Sequence, residues 1–179
     1  MSDTNKEFSA ELALCREVFE KKTRDYGTSW RVMRLPSLTD QIFIKASRIR
    51  SLQETGENCV GDGVEAEFVA MVNYAIMALM QLELGTEGTL DLPLEQALEL
   101  YDRHSGQIMR LMLDKNHDYG EAWRQMRISS MVDLILMKIM RVKQIEDNQG
   151  RTVASEGVEG SYMDIANYSL FCLIRQRVY

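Results

Sequence analysis

The sequence DYGTSWRVMR occupies residues 25–34, and the related sequence DYGEAWRQMR occupies residues 118–127. The same offset of 93 residues, from 25 to 118, also joins identical residues on either side: Lys22 with Lys115, Asp40 with Asp133, Lys45 with Lys138, and Arg48 with Arg141. Further on, an offset of 94 pairs Asn73-Tyr74 with Asn167-Tyr168. Hydrophobic periodicity alone does not keep tryptophan, glycine and charged residues in register. The chain is therefore interpreted as two copies of one unit.

Length and composition favour an all-α fold in which the copies share one core. Each copy, residues 8–84 and 93–176, is near the size at which a separate core is marginal. The chain of 179 residues has only two prolines, and helix-forming residues dominate its periodic segments. The sequence predicts a single compact domain over residues 1–179. Its expected architecture is a six-helix bundle, built from two three-helix units related by a pseudo-two-fold axis.

The expected helices fall at equivalent places in the two copies. They cover residues 8–24, 41–54 and 64–84 in the first copy, and residues 93–116, 134–146 and 158–175 in the second. Ser37 with Asp40, and Ser130 with Asp133, have the spacing of a capping box before the middle helices. The third helix carries a core-facing stripe at helical spacing, made of Phe68, Met71, Val72, Ala75, Ile76 and Leu79.

Several classes of protein are disfavoured by charge, cysteine usage and hydropathy. The formal charge of -6 argues against sequence-specific nucleic-acid binding. Cys15, Cys59 and Cys172 are widely spaced and indicate neither a disulfide framework nor a zinc site. No uninterrupted apolar run reaches about 18 residues, and no leader-like segment begins the chain, so we expect a cytoplasmic protein without a membrane partner. Association into homo-oligomers is left open.

Two cations interrupt an apolar stretch in the fifth expected helix. Lys138 and Arg141 lie one turn apart within residues 134–142, which are otherwise apolar. Such cations need an anion, because burial without one costs several kcal/mol. One candidate partner is an acidic residue of the copy's third helix, Glu65 or Glu159. The other is a bound phosphate, which a lysine and an arginine fork suit well.

The last helix carries a polar sector of Glu159, Asp164 and Asn167 in an otherwise apolar element. The first copy differs, because Ala70 stands in place of Asp164. If a divalent metal such as Mg²⁺ binds, Glu159 and Asp164 are its expected ligands. The alternative is that these carboxylates orient the cations.

Aromatic residues lie beside arginines in both copies of the opening motif. Tyr26 and Trp30 in the first copy correspond to Tyr119 and Trp123 in the second. Rings near a helix end usually pack against the core. They can also stack on a base while neighbouring basic residues hold its phosphates. Spacing does not separate these two roles.

Taken together, the motifs resemble a known family. The pattern is Lys-x-x-Asp-Tyr-Gly followed by Trp, then Asp-x4-Lys-x2-Arg, then a Glu and an Asp-x-x-Asn-Tyr ending, and it resembles the nucleotide modification associated domain 1 family in tandem duplicate. The resemblance implies a helical domain of nucleotide metabolism or base modification. The ending is also similar to the last helix of all-α nucleoside triphosphate pyrophosphohydrolases. However, their Glu-Glu-x-x-Glu helix is replaced here by one carrying Lys and Arg.

The leading hypothesis is a protein that binds a small-molecule nucleotide, with a hydrolase of the pyrophosphohydrolase type as the enzymatic form. The phosphates would meet Lys138 and Arg141, and Glu159 and Asp164 would be the catalytic or Mg²⁺-binding pair. The nucleotide-binding residues are expected to be Lys115, Asp118, Tyr119, Trp123, Arg124, Lys138, Arg141 and Asn167 in the second copy, and Lys22, Asp25, Tyr26, Trp30, Arg31, Lys45, Arg48, Glu65 and Asn73 in the first. The alternative is a non-enzymatic helical interaction module whose ion pairs fix register.

Overall fold

Six long α-helices make up the part of the chain that the structure describes. The computed structural model describes residues 3–57, 63–153 and 157–178. The helices are α1 (Thr4–Tyr26), α2 (Leu35–Thr55), α3 (Val64–Leu84), α4 (Leu94–Tyr119), α5 (Ile128–Asp147) and α6 (Glu159–Val178). A short 3₁₀ turn follows α1 at Ser29–Val32, and another follows α4 at Ala122–Gln125. These ranges contain no strand, which confirms the all-α class.

The repeated Asp-Tyr-Gly motif ends the first helix of each copy. Gly27 has φ 61° and ψ -153°, and Gly120 has φ 64° and ψ -160°. This region of backbone space is open essentially only to glycine. The glycine therefore stops the helix and turns the chain into the 3₁₀ turn, which places Trp30 or Trp123 against the core.

The core lies between equivalent helices of the two copies. α3 packs against α6, α2 against α5, and α1 against α4. The predicted apolar stripe of α3 is confirmed, since all six of its side chains are buried. On α2 the buried residues Ile42, Ala46 and Ile49 follow helical spacing, and so do their counterparts Ile135, Ile139 and Val142 on α5. One shared core therefore replaces two small ones.

Polar contacts between the copies are reciprocal. Asp40 on α2 pairs with Lys143 on α5 at 2.9 Å, and Arg50 on α2 pairs with Asp133 on α5 at 3.6 Å. Both pairs join positions 40 and 50 to positions 133 and 143, which are equivalent at the offset of 93. This exchange is what a pseudo-two-fold axis would produce. The axis itself stays a prediction.

The predicted capping boxes are wrong. α2 begins at Leu35, two residues before Ser37, and its N-cap Arg34 makes no capping side-chain hydrogen bond. α5 likewise begins at Ile128, and the side chain of its N-cap residue, Arg127, makes no capping hydrogen bond. Pro36 fits the first turn, where its missing N–H has no helical partner to lose. The helix can therefore start directly after the 3₁₀ turn. Asp40 and Asp133 then lie inside their helices, where they form the ion pairs between the copies.

α3 is strongly apolar along its length. It is the described helix with the length and hydropathy to cross a membrane, but 61% of its most apolar window is buried inside the protein, as in a core helix. Cys15 and Cys172 are buried free thiols. Cys59 lies outside the described residues.

A polar cluster joins α2, α5 and α6 beneath the surface. The hydroxyls of Thr39 and Tyr162 lie 2.8 and 3.1 Å from Oε1 of Glu146, and 2.7 Å from each other. Burial raises the pKa of Glu146, and the two hydroxyl hydrogen bonds only partly offset that effect. The protonated carboxyl is therefore favoured in the folded state more than in the unfolded one.

The raised pKa of Glu146 predicts the pH dependence of a Glu146→Gln variant. The contribution of Glu146 to stability is largest below the ordinary glutamate pKa, about 4.3, and is lost as pH rises through the folded-state pKa. The variant does not titrate at this position. Its free energy of unfolding, relative to the wild type, should therefore rise between about pH 4 and pH 7. Urea unfolding across this range measures the difference, and a difference that falls with pH contradicts the prediction.

Candidate functional site

Asp164 brings together two lysines from different helices of the second copy. Its Oδ1 accepts from Lys115 on α4 at 2.5 Å, and its Oδ2 lies 2.8 Å from Lys138 on α5. Asp164 is on α6 and is largely buried. Lys138, which is partly buried, therefore has an acidic partner, as one of the two interpretations required. That partner is Asp164 and not Glu159, which is exposed.

A basic cavity opens on one side of Asp164. It has a volume of about 560 Å³ and runs between the end of α5 and the start of α6. Lys138, Arg141 and Arg151 line it, and Asp164 is its only acidic lining residue among those described. No described residue forms an ion pair with Arg141 or Arg151. The remaining polar lining comes from Gln144, Asn148, Thr152 and Ser161. We call this space the basic cavity. Its excess of positive charge suits an anionic ligand.

An aromatic cavity also includes Asp164 in its wall. Its volume is about 360 Å³, and its lining includes Tyr119, Trp123, Tyr168 and Phe171. Lys115 and Asn167 are the polar groups of this wall that lie near Asp164. We call this space the aromatic cavity. Both cavities thus include Asp164 in their walls, one beside cationic side chains and the other beside aromatic rings.

The rings of the aromatic cavity differ in availability. Trp123 stacks on Phe171 with centroids 4.3 Å apart, and the Arg124 guanidinium lies 4.3 Å from the Trp123 centroid. The faces of the Trp123 ring are thus already covered by Phe171 and Arg124. Tyr119 is 77% exposed. Burial, with the Asp164 carboxylate, raises the pKa of Tyr168, so its hydroxyl remains a hydrogen-bond donor at neutral pH. Tyr119 and Tyr168 are therefore the better stacking surfaces.

The first copy holds its cations differently. Glu67 on α3 pairs with Arg48 at 2.8 Å and with Lys45 at 3.4 Å. The expected partner Glu65 instead pairs with Arg177 at 2.6 Å. Ser161 occupies the position equivalent to Glu67, and Ala70 the position equivalent to Asp164, at the offset of 94. The acid therefore sits one helical turn further along in the second copy.

Two arginines expected to hold phosphates serve the scaffold. Arg31 is 3% exposed and donates to the side chain of Gln81 and, at 2.8 Å, to the carbonyl of Gly85. Arg124 forms ion pairs with Glu7 and, at 2.6 Å, with Glu121. The Arg31 guanidinium is thus buried and hydrogen-bonded, and the Arg124 guanidinium is ion-paired within the scaffold.

The other expected contact residues divide by exposure. Asn73 is buried and hydrogen-bonded within the scaffold. Trp30 is buried. The exposed ones are Lys22, Asp25, Tyr26 and Asp118. Lys22 and Lys45 line a first-copy cavity of about 520 Å³, where Ala70 contributes no charge.

The donors around Asp164 do not fit a Mg²⁺ site. Each carboxylate oxygen already contacts an ammonium group, and Mg²⁺ prefers several oxygen ligands free of such competition. Residues 3–57, 63–153 and 157–178 contain no group of three or more His, Cys, Asp and Glu side chains placed to hold a metal.

Some lining residues have no clear sequence signal. Gln144, Asn148 and Arg151 lie at and beyond the end of α5, where an exposed polar helix end looks the same as a cavity wall. Glu67 is not singled out by helical phase, because at 100° per residue Glu65 lies nearer to the centre of the buried stripe of α3.

Comparison with known families matches the chain twice. The model of nucleotide modification associated domain 1 matches residues 22–82 and again residues 115–176. Comparison with curated proteins and with solved structures gives no match. The two matched ranges start at Lys22 and Lys115, the first pair of the duplication, and together they cover more than half of the chain. The chain therefore belongs to the nucleotide modification associated domain 1 family, as a tandem pair of its domains.

Proposed function

We propose that the second copy binds a nucleotide across Asp164. The phosphates lie in the basic cavity and the base lies in the aromatic cavity. The observation that carries this proposal is that the basic cavity and the aromatic cavity share one buried carboxylate, Asp164, in their walls. Their volumes, about 560 and 360 Å³, fall in the range of small-molecule sites.

At the phosphate end, Lys138 and Arg141 supply complementary donors. Lys138 is a compact charge and Arg141 a planar fork, and both suit phosphate oxygens. Arg151 adds a third cation on the same wall. One oxygen of Asp164 pairs with Lys138. The negative charge of this carboxylate repels phosphate groups from the part of the basic cavity next to it. The phosphates are thereby directed toward Arg141 and Arg151.

The binding test uses titration calorimetry with purified full-length protein. A panel of nucleoside and deoxynucleoside triphosphates is compared with the matching nucleosides, with EDTA and with Mg²⁺. Triphosphates should bind more tightly than nucleosides, and their affinity should fall as salt rises, because the phosphate contacts are ionic. A protein that binds no member of the panel under either condition contradicts the proposal. Phosphate or pyrophosphate released in the Mg²⁺ samples measures any hydrolase activity, which binding does not require.

A Lys138→Met variant is expected to lose about tenfold or more in triphosphate affinity, roughly 1.4 kcal/mol. It should remain folded, because Oδ1 of Asp164 keeps its contact with Lys115. Lys143→Met is the matched control. Lys143 is also an ion-paired lysine of α5, 2.9 Å from Asp40, but it lines neither cavity.

The Lys138 variant also tests the alternative function. In a non-enzymatic interaction module, the Lys138–Asp164 pair at 2.8 Å serves only to fix helix register. If Lys138→Met and Lys143→Met bind the triphosphate equally well, the structural alternative is favoured.

A further inference from the structure

Two equivalent asparagines have opposite hydrogen-bonding states. Asn73 on α3 is fully used: its Nδ2 donates to the Cys15 carbonyl at 3.0 Å, and its Oδ1 accepts from the Tyr101 hydroxyl at 2.8 Å. These bonds tie α3 to α1 and α4. Asn73 is therefore a structural residue of the first copy.

Asn167 occupies the equivalent position on α6 without those partners. It is 4% exposed, and neither its amide nitrogen nor its amide oxygen has a hydrogen-bond partner among the described residues. At the offset of 93, the counterpart of Tyr101 is Phe8, which has no hydroxyl. Phe8 packs against Phe171, one turn beyond Asn167, with ring centroids 6.1 Å apart.

An unused buried amide needs a physical reason. Buried polar groups in folded proteins are almost always paired, because water is lost without replacement. Asn167 lines the aromatic cavity together with Tyr119 and Tyr168. Each of the two amide atoms of Asn167 has almost no exposed surface, so the side chain must turn toward the cavity for a ligand between those rings to meet the amide donor and acceptor side by side.

We infer that Asn167 is the base-reading residue of the nucleotide site, an inference that rests on the proposed function. Its amide pairs with a base edge that carries a neighbouring donor and acceptor, while the flat ring lies against the aromatic wall. All four common bases carry such an edge. Asn167 therefore selects a nucleobase over other planar or apolar groups, and the same contact distinguishes a nucleotide from a bare polyphosphate.

The test compares two probes on three proteins. The probes are the tightest-binding triphosphate from the panel above and inorganic triphosphate, which has no base. The proteins are the wild type, Asn167→Leu and Phe8→Tyr. Asn167→Leu removes the amide at nearly constant volume. Phe8→Tyr introduces the hydroxyl that Tyr101 supplies in the first copy, so that the amide oxygen gains an internal partner.

For Asn167→Leu we expect at least a tenfold loss of nucleotide affinity and an unchanged affinity for inorganic triphosphate. Phe8→Tyr should weaken the nucleotide in the same selective way and raise the melting temperature, because it satisfies the buried amide. A purely structural role for Asn167 would change both probes equally. That result, or full nucleotide affinity in both variants, overturns the inference while the proposed function stands. A wild type that binds inorganic triphosphate but no nucleotide overturns both.

Discussion

Replacing Arg31 with methionine is expected to lower the free energy of unfolding by about 3 kcal/mol. Arg31 is buried and has no acidic partner among the described residues. It donates instead to Gln81, to the Gly85 carbonyl and, at 3.4 Å, to the Thr89 carbonyl. Methionine fills similar volume but donates nothing. The Gln81 amide cannot turn away, because its nitrogen is held by the carbonyls of Arg31 and Met33.

Urea denaturation followed by circular dichroism measures this loss. Arg34→Met is the matched control, since Arg34 is an exposed arginine three residues away and should change stability by no more than about 0.5 kcal/mol. Arg31 donates to carbonyls at the start of the connection between the copies, residues 85–93. The loss of stability therefore measures how much this anchoring of the connection contributes. Equal stability of the two variants would show that this anchoring is unimportant.

A Glu67→Ser variant is expected to lose about 2 kcal/mol of stability. Glu67 is 5% exposed and holds both Lys45 and Arg48. Removing one partner of a fully buried pair costs roughly 3–5 kcal/mol. The effect is smaller here because the side chains of Lys45 and Arg48 keep 30% and 22% of their exposure and can turn toward water. Glu65→Ser, at an exposed acid of the same helix, should cost much less.

Adding Ala70→Asp to Glu67→Ser should recover a large part of that loss. The double variant gives the first copy the residues of the second at these two positions, so that the acid moves one turn further along α3. Lys22, Lys45 and Ala70 line the same cavity, so a carboxylate at position 70 would lie near both lysines. The comparison also tests the predicted pseudo-two-fold axis. If the double variant is no more stable than Glu67→Ser, equivalent positions do not have equivalent surroundings.

The fold could be predicted well because its signals are long and redundant. The duplication extends over tryptophan, glycine and charged residues, and each helix carries an apolar stripe over several turns. Helix starts were predicted poorly. Ser37 and Asp40 have the spacing of a cap, but the proline and the preceding 3₁₀ turn start α2 earlier. Local capping propensity of about 1 kcal/mol does not compete with the packing of a whole helix.

The sequence indicates which kinds of chemical group the candidate site contains better than it indicates the particular residues. The need of Lys138 for an anion follows from its apolar surroundings, but the choice of Asp164 depends on how α4, α5 and α6 approach one another. Glu65 and Glu67 are about 200° apart on the helix, and Glu65 lies nearer in phase to the buried stripe, so helical phase favours the acid that does not pair with Lys45 and Arg48. The pairing of Arg124 with Glu7 joins residues more than a hundred positions apart. Such contacts depend on tertiary packing, which spacing does not reveal.

The reciprocal ion pairs between α2 and α5 have a consequence for how the two domains can diverge. If the domains were separate identical chains, their association would depend on protein concentration, and each substitution would appear on both sides of the interface. Joining them by a short peptide fixes a one-to-one ratio at any dilution. It also permits a change on one side alone. The unlike residues Ala70 and Asp164 are a difference that a symmetric pair of identical subunits could not contain.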